Sequence, residues 1–235
     1  MTKPRSPTAP KRRSRAQAVA TPAGPGLREV LPDSWQAVID ALFDESFDTG
    51  LERYRSPFVF RGTTRDWPLT PSLHRMLHAP GVIQNIERAL MRSFKKYAYH
   101  EVRGDASDWK WLSIAQHHGL PTRLLDWTFS PFVALHFATD RIEDMESDGI
   151  IWMVNFIECR KSLPDPLVKV LDDQFALSFS VEMLEERFPK VRALEEMSGR
   201  VPEFPIFFEP PSLDPRIVNQ FGLFSLMNRP DADLT

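Results

Sequence analysis

Apolar residues recur along this chain with two spacings, one helical and one extended. Trp35, Val38, Ile39, Leu42, Phe43 and Phe47 follow Asp33 and Ser34 at the intervals of one helix face, and the polar pair stands where a cap belongs. Val82, Ile86, Ala89, Leu90 and Phe94 predict a helix from about Val82 to Tyr97. Another is expected from Asp108 to His118, stopped by Gly119 and Pro121. Ser130 before Pro131 places a cap ahead of a proline at the first helical position, where its missing N–H costs nothing, so Pro131 to Thr139 is predicted helical. A Glu-rich helix is expected over Val181 to Met197.

The extended segments are shorter. Pro57 to Phe60 is aromatic and β-branched and suits a strand that delivers Arg61 to its end, with Gly62 turning the chain there. Gly149 to Ile157 carries Ile150, Ile151, Trp152, Val154, Phe156 and Ile157, too apolar for one-sided burial, which predicts a central strand. Pro205 to Phe208 and Phe221 to Leu226 complete the set. Strands and helices in irregular order imply an α+β fold: a small mixed or antiparallel central sheet with several flanking helices.

Composition adds a boundary. Residues 1–26 hold five prolines and a basic cluster without apolar periodicity, so a disordered tail is expected there, followed by one domain over 27–235. The net charge of −3 conceals an asymmetry: residues 1–28 hold seven basic residues and no acid, leaving 22 basic against 32 acidic residues, a balance of −10, in the rest. The basic arm, residues 3–15, suits weak contact with nucleic acid or simple solubilisation. Its lack of an apolar centre is unlike an export signal. A single cysteine, Cys159, excludes an intramolecular disulfide and fits a reducing, cytoplasmic setting. No apolar run reaches the length of a membrane span.

Candidate chemistry concentrates in a few segments. Arg61 beside Gly62 would present a guanidinium fork next to approachable amides, suited to phosphate or carboxylate; the alternative is a buried structural arginine paired to an acid such as Asp126. Gln116, His117 and His118 end a helix, and Gly119 turns the chain so that Thr122, Arg123, Asp126 and Thr128 can return to the same place beside Leu120, Leu124, Leu125 and Trp127. A polar pocket with an apolar wall satisfies both sets, with either histidine a candidate general base. A structural network of Asp126 with Arg123 is the competing reading. Adjacent histidines point apart on a helix, and His74 with His78 lacks an evident third ligand, so no metal is expected.

Gln116 to Ala138, with Gln116-His117-His118-Gly119-Leu120-Pro121-Thr122-Arg123-Leu124-Leu125-Asp126-Trp127-Thr128 at its head, resembles the signature of the FRG-domain family. So do Phe60-Arg61-Gly62, Leu69 to Leu73, and Pro215 to Phe224. The resemblance implies a module of uncharacterised or defence-associated bacterial and phage proteins. The order of a strand-end Arg, the Thr128–Ser130 segment opening a helix, and a late polar residue is also similar to the ADP-ribosyltransferase layout. That second resemblance implies NAD as substrate, with Arg61 on its phosphates or ribose, Thr128 and Ser130 shaping the pocket, and Glu209 or Gln220 as the late residue. The chain departs from it in having neither a Ser-Thr-Ser triplet nor a Glu-x-Glu motif. Two functions are therefore carried forward: NAD-dependent glycosyl transfer, and non-catalytic recognition of a small anion, nucleotide or nucleic acid.

Overall fold

The computed structural model describes residues 22–24, 27–77, 81–98, 106–197, 201–211 and 220–234. Most of the expected tail, along with His78 and Pro215 to Asn219, lies outside them. The chain divides into two compact units, Met1–Tyr54 and Arg55–Thr235.

In the first unit, β1 (Pro22–Gly24) and β2 (Leu27–Arg28) form a two-stranded ladder. The expected first helix is α1 (Trp35–Leu42), and its cap is Ser34, whose hydroxyl accepts from Ala37 N at 3.2 Å. Phe47 falls outside it, in the short strand β3 (Phe47–Asp48), which pairs with β4 (Arg53–Tyr54). The Asp48 carboxylate closes the turn by accepting from Gly50 N and Leu51 N, and Tyr54 stacks edge-on against Phe43 and Phe47.

The second unit runs β5 (Phe58–Thr63), α2 (Ser72–Met76), α3 (Ile83–Tyr97), α4 (Asp108–His117), β6 (Leu125–Thr128), α5 (Pro131–Thr139), β7 (Ile150–Asn155), α6 (Phe156–Cys159) and α7 (Asp165–Asp173). It continues with β8 (Phe179–Ser180), α8 (Val181–Arg187), α9 (Arg192–Glu195), β9 (Pro205–Glu209) and β10 (Gly222–Met227). Its sheet has the order β7-β5-β6-β10-β9-β8, antiparallel except for the parallel pair β8–β9. The fold is α+β, with a mixed sheet.

Each sheet face has its own core. Phe208, Phe224 and Leu226 meet Trp109 and Leu112 of α4 and Leu184 of α8 on one side. Val59, Trp127, Phe207 and Leu223 meet Phe156 and Leu69 on the other. Alternation along β6, β9 and β10 divides them, as the two-residue period requires. Trp109 is wholly buried, and its indole N–H donates to Phe188 O at 2.6 Å, the partner a buried indole needs.

Three expectations change. The apolar strand β7 stands at the sheet edge, beside β5 alone, and its last expected residues, Phe156 and Ile157, form the helix α6 instead. Its apolar content is explained by cover on both sides, from α5 and from the core around Trp127. The helix expected over Val181 to Met197 breaks into α8 and α9, because Pro189 lacks the N–H a helix needs and restricts Phe188 before it. Arg61 lies inside β5, opposite Trp152, since the strand continues through Gly62 to Thr63.

Gly62 does not turn the chain. A Cβ there would stand 1.8 Å from the Ala134 carbonyl oxygen, so its missing side chain is what lets α5 lie against β5. This differs from the expected amide open to a ligand.

Candidate functional site

The last turn of α4 is set by local chemistry at both ends. Ser107 caps its start, accepting from Lys110 N, and Gly119 ends it in the left-handed region with φ +76°. That stop fixes Gln116 beside β6. Gln116 Nε2 donates to both carboxylate oxygens of Asp126, each at 2.9 Å, while its Oε1 accepts from Thr122 Oγ1 at 2.5 Å. Thr122 is held in turn by α2: its amide donates to Ser72 Oγ, and its carbonyl accepts from Leu73 N and from the Ser72 hydroxyl.

Arg61 reaches the same carboxylate from the neighbouring strand. β5 and β6 share one rung, Phe60 opposite Thr128, and beyond it Arg61 Nη1 donates to the Asp126 carbonyl oxygen at 2.7 Å and stands 3.6 Å from Asp126 Oδ2. The Arg61 side chain is 20% exposed and that of Asp126 55%, so the pair faces solvent rather than the core. Asp126 is the acid the alternative reading of Arg61 named, but the pair is partly exposed rather than buried.

A residue that the sequence reading passed over completes the group. Arg75 on α2 donates to Thr70 O at 2.5 Å and lies 6.0 Å from the centre of the Trp67 ring. Its pKa is lowered, first by partial burial and then by the positive charge of Arg61, with Asp126 acting in the opposite sense. Arg61 pairs with Asp126, and Arg75 is near enough to feel the charge of both, beside Trp67, which is 45% exposed. The available signal was Pro71-Ser72 ahead of Leu73, a helix-start pattern that puts Arg75 one turn in.

The remaining candidates lie elsewhere. Arg123 is buried, and its partner is not Asp126: Nε donates to Glu87 Oε1 and Oε2 at 2.9 and 2.7 Å, and Nη2 contacts Glu87 and also Glu195 at 2.7 Å. Arg123 is bound by Glu87 and Glu195 whereas Asp126 is bound by Gln116 and Arg61, so the expected Asp126–Arg123 network is replaced by two separate ones. Thr128 Oγ1 donates to the Gln220 carbonyl at 2.6 Å and accepts from Ser130 N, while Ser130 caps α5 by accepting from Val133 N. These polar atoms hold the start of α5. Glu209 accepts from Ser178 Oγ at 2.7 Å at the far end of β9. Strand order puts β9 three places from β5, roughly 14 Å across at the usual spacing, with β6 and β10 between.

His117 is half-buried and His118 exposed; their rings are 5.3 Å apart, and His118 leans on Phe94 at 6.0 Å. His74, from the His74–His78 spacing, has Nδ1 3.1 Å from Asp233 Oδ1 and Nε2 2.7 Å from the Pro230 carbonyl. Burial pushes the Cys159 thiol up to about 11, away from the range of a nucleophilic thiolate. Among the described residues no group of three or more His, Cys, Asp or Glu could hold a metal, and no helix is long and apolar enough to cross a membrane.

Residues 56–147 match the family model of the FRG domain. The matched segment runs from the start of β5 through α5 and so contains Arg61, Arg75, Gln116, Thr122 and Asp126. No curated protein and no solved structure matches the chain.

Proposed function

We propose that this chain is a recognition module for a phosphate-bearing ligand of the nucleotide class, held at Arg61 and Arg75. The observation that carries the reading is the proximity of two arginines, Arg61 paired with Asp126 and Arg75 within reach of both their charges, beside an exposed tryptophan. Arg61, Arg75 and Asp126 leave one positive charge to satisfy, and a guanidinium fork matches phosphate oxygens in pairs. The Trp67 ring offers a face on which a base can stack, as exposed aromatics do in nucleotide recognition. Gln116 and Asp126 would accept from ribose hydroxyls or an exocyclic amine. Glycosyl transfer is the less favoured reading: of the two late residues expected for it, Glu209 lies three strands from Arg61, and Gln220, whose carbonyl accepts from Thr128, carries no negative charge for an oxocarbenium-like transition state.

Calorimetric titration with ADP tests the reading. One charge-assisted contact is worth about 1.5–3 kcal/mol, so Arg75→Ala should weaken binding about tenfold to a hundredfold. NAD serves as the second arm, with nicotinamide release followed in parallel. Unaltered affinity in Arg75→Ala, or no binding of either ligand by the wild type, sinks the proposal; nicotinamide release abolished by Arg61→Ala would favour the transferase instead.

A further inference from the structure

Helix α3 carries an outward face that the candidate site does not use. Arg88, Arg92 and Lys96 recur at every fourth residue and all three are exposed, so they form a row rising about 6 Å per step along the helix. The only acid of the helix, Glu87, turns inward and is bound by Arg123. Arg88 stands 3.8 Å from Glu195, a carboxylate already shared with Arg123, and among the described residues no carboxylate pairs with Arg92 or Lys96. Lys95, one residue earlier, is taken by Asp108 at 3.2 Å and lies 5.6 Å over the Trp111 ring.

The row ends on a ring. Tyr97 is 80% exposed, with Lys96 Nζ 5.8 Å from its centre. Beyond the first 28 residues the chain carries a balance of −10, so a helix face with three cations and a single carboxylate, itself shared with Arg123, is out of keeping with that balance. Its self-repulsion is relieved by a polyanion.

We infer that the outer face of α3 binds single-stranded nucleic acid, with Arg88, Arg92 and Lys96 following successive phosphates and Tyr97 stacking on a base. The row is one helix wide and winds about 40° round the helix at each step, a narrow track that suits a single flexible backbone rather than the broad face a duplex presents. A ring at its end needs an unstacked base, and only a single strand offers one freely. The inference uses neither Arg61 nor Arg75 and stands whether or not a nucleotide binds there.

Fluorescence anisotropy of a short labelled oligothymidylate, titrated with the full chain over a range of salt, is the test. Each lost phosphate contact on a single strand removes about 0.7 from the slope of log K against log salt, so R92Q/K96Q should flatten it by about 1.4. Affinity at low salt should fall about tenfold, Tyr97→Ala should cost at least about fivefold, and a duplex of equal length should compete poorly. An Arg75→Ala chain should bind the strand as the wild type does. Wild-type chain that fails to bind, a slope unchanged in R92Q/K96Q, or equal competition by the duplex would each overturn the inference. So would a tail variant, R12Q/R13Q, that removes all the binding by itself.

Discussion

Removing Arg123 should unfold a large part of this protein's stability. Its guanidinium is 6% exposed and sits between Glu87, 7% exposed, and Glu195, 11% exposed. The Arg123 pKa is raised: burial works against the charge, and Glu87 followed by Glu195 outweighs it. Arg123→Ala leaves both carboxylates in place, with Glu195 still reached by Gln84 and by Arg88 at the rim, but Glu87 facing the space alone. Breaking a buried pair in this way costs about 3–5 kcal/mol. Against a total of about 5–15 kcal/mol that is a major fraction. For a chain of this length it corresponds to a fall of roughly 6–20 °C in Tm. Urea denaturation followed by tryptophan fluorescence measures it, since Trp109 lies in the core that holds Leu124 and Leu194, the chain neighbours of Arg123 and Glu195. Replacing Arg123 and Glu87 together by Met should recover most of the loss, because apolar groups of similar volume need no partner. A loss under about 1 kcal/mol in Arg123→Ala would refute the argument. A double variant as weak as the single one would assign the loss to packing rather than to an orphaned charge.

Other consequences are as direct. Gly62→Ala should destabilise by roughly 1–3 kcal/mol or more in the same assay, since its Cβ would drive into the Ala134 carbonyl; a neutral effect would mean that α5 moves aside freely. Asp144, whose carboxylate accepts from Thr64 Oγ1 at 2.5 Å and Arg65 Nε at 2.7 Å, has its pKa lowered first by the Thr64 hydrogen bond and then by that from Arg65. A depressed folded pKa gives stability that is full above the ordinary aspartate value, about 3.9, and is lost as pH falls through the lower one. Asp144→Asn should therefore be less stable than the wild type near neutrality, with the gap closing below about pH 3.9, as urea midpoints at several pH values would reveal. Iodoacetamide should label Cys159 slowly at neutral pH in the folded chain and faster toward the alkaline side, because burial raises the thiol to about 11; rapid labelling at neutrality would contradict that.

How much of this was readable in the residues depends on whether a signal was local. Helix α3 follows from spacing, α4 from its stop at Gly119, and α1 and α5 from spacing with a cap; Ser34, Ser107 and Ser130, ahead of α1, α4 and α5, each accept from the amide three residues on. Strand β6 was hidden, because Asp126 and Thr128 alternate with Leu125 and Trp127 inside a run so polar that it read as a turn around a pocket. The Gln116–Asp126 contact follows from the stop at Gly119. The Arg123–Glu87 pair spans 36 residues and follows from no local rule. One clue was present: Glu87 sits among Ile83, Leu90 and Phe94 on the inner side of α3, and an acid on an apolar stripe calls for a buried cation. Arg61 was placed at a strand end because Gly62 reads as a turn, whereas the glycine serves the approach of α5.

Chemical-shift changes in the side-chain N–H signals on titration with ADP test the central claim most directly. The account predicts movement of the Trp67 indole and of the Arg61 and Arg75 guanidinium signals. Trp109 and Trp127, whose indole groups are tied to Phe188 O and Ser225 Oγ, should remain still. Shifts confined to the neighbourhood of Glu209 and Ser178, or no shifts at a saturating concentration of ligand, would contradict it.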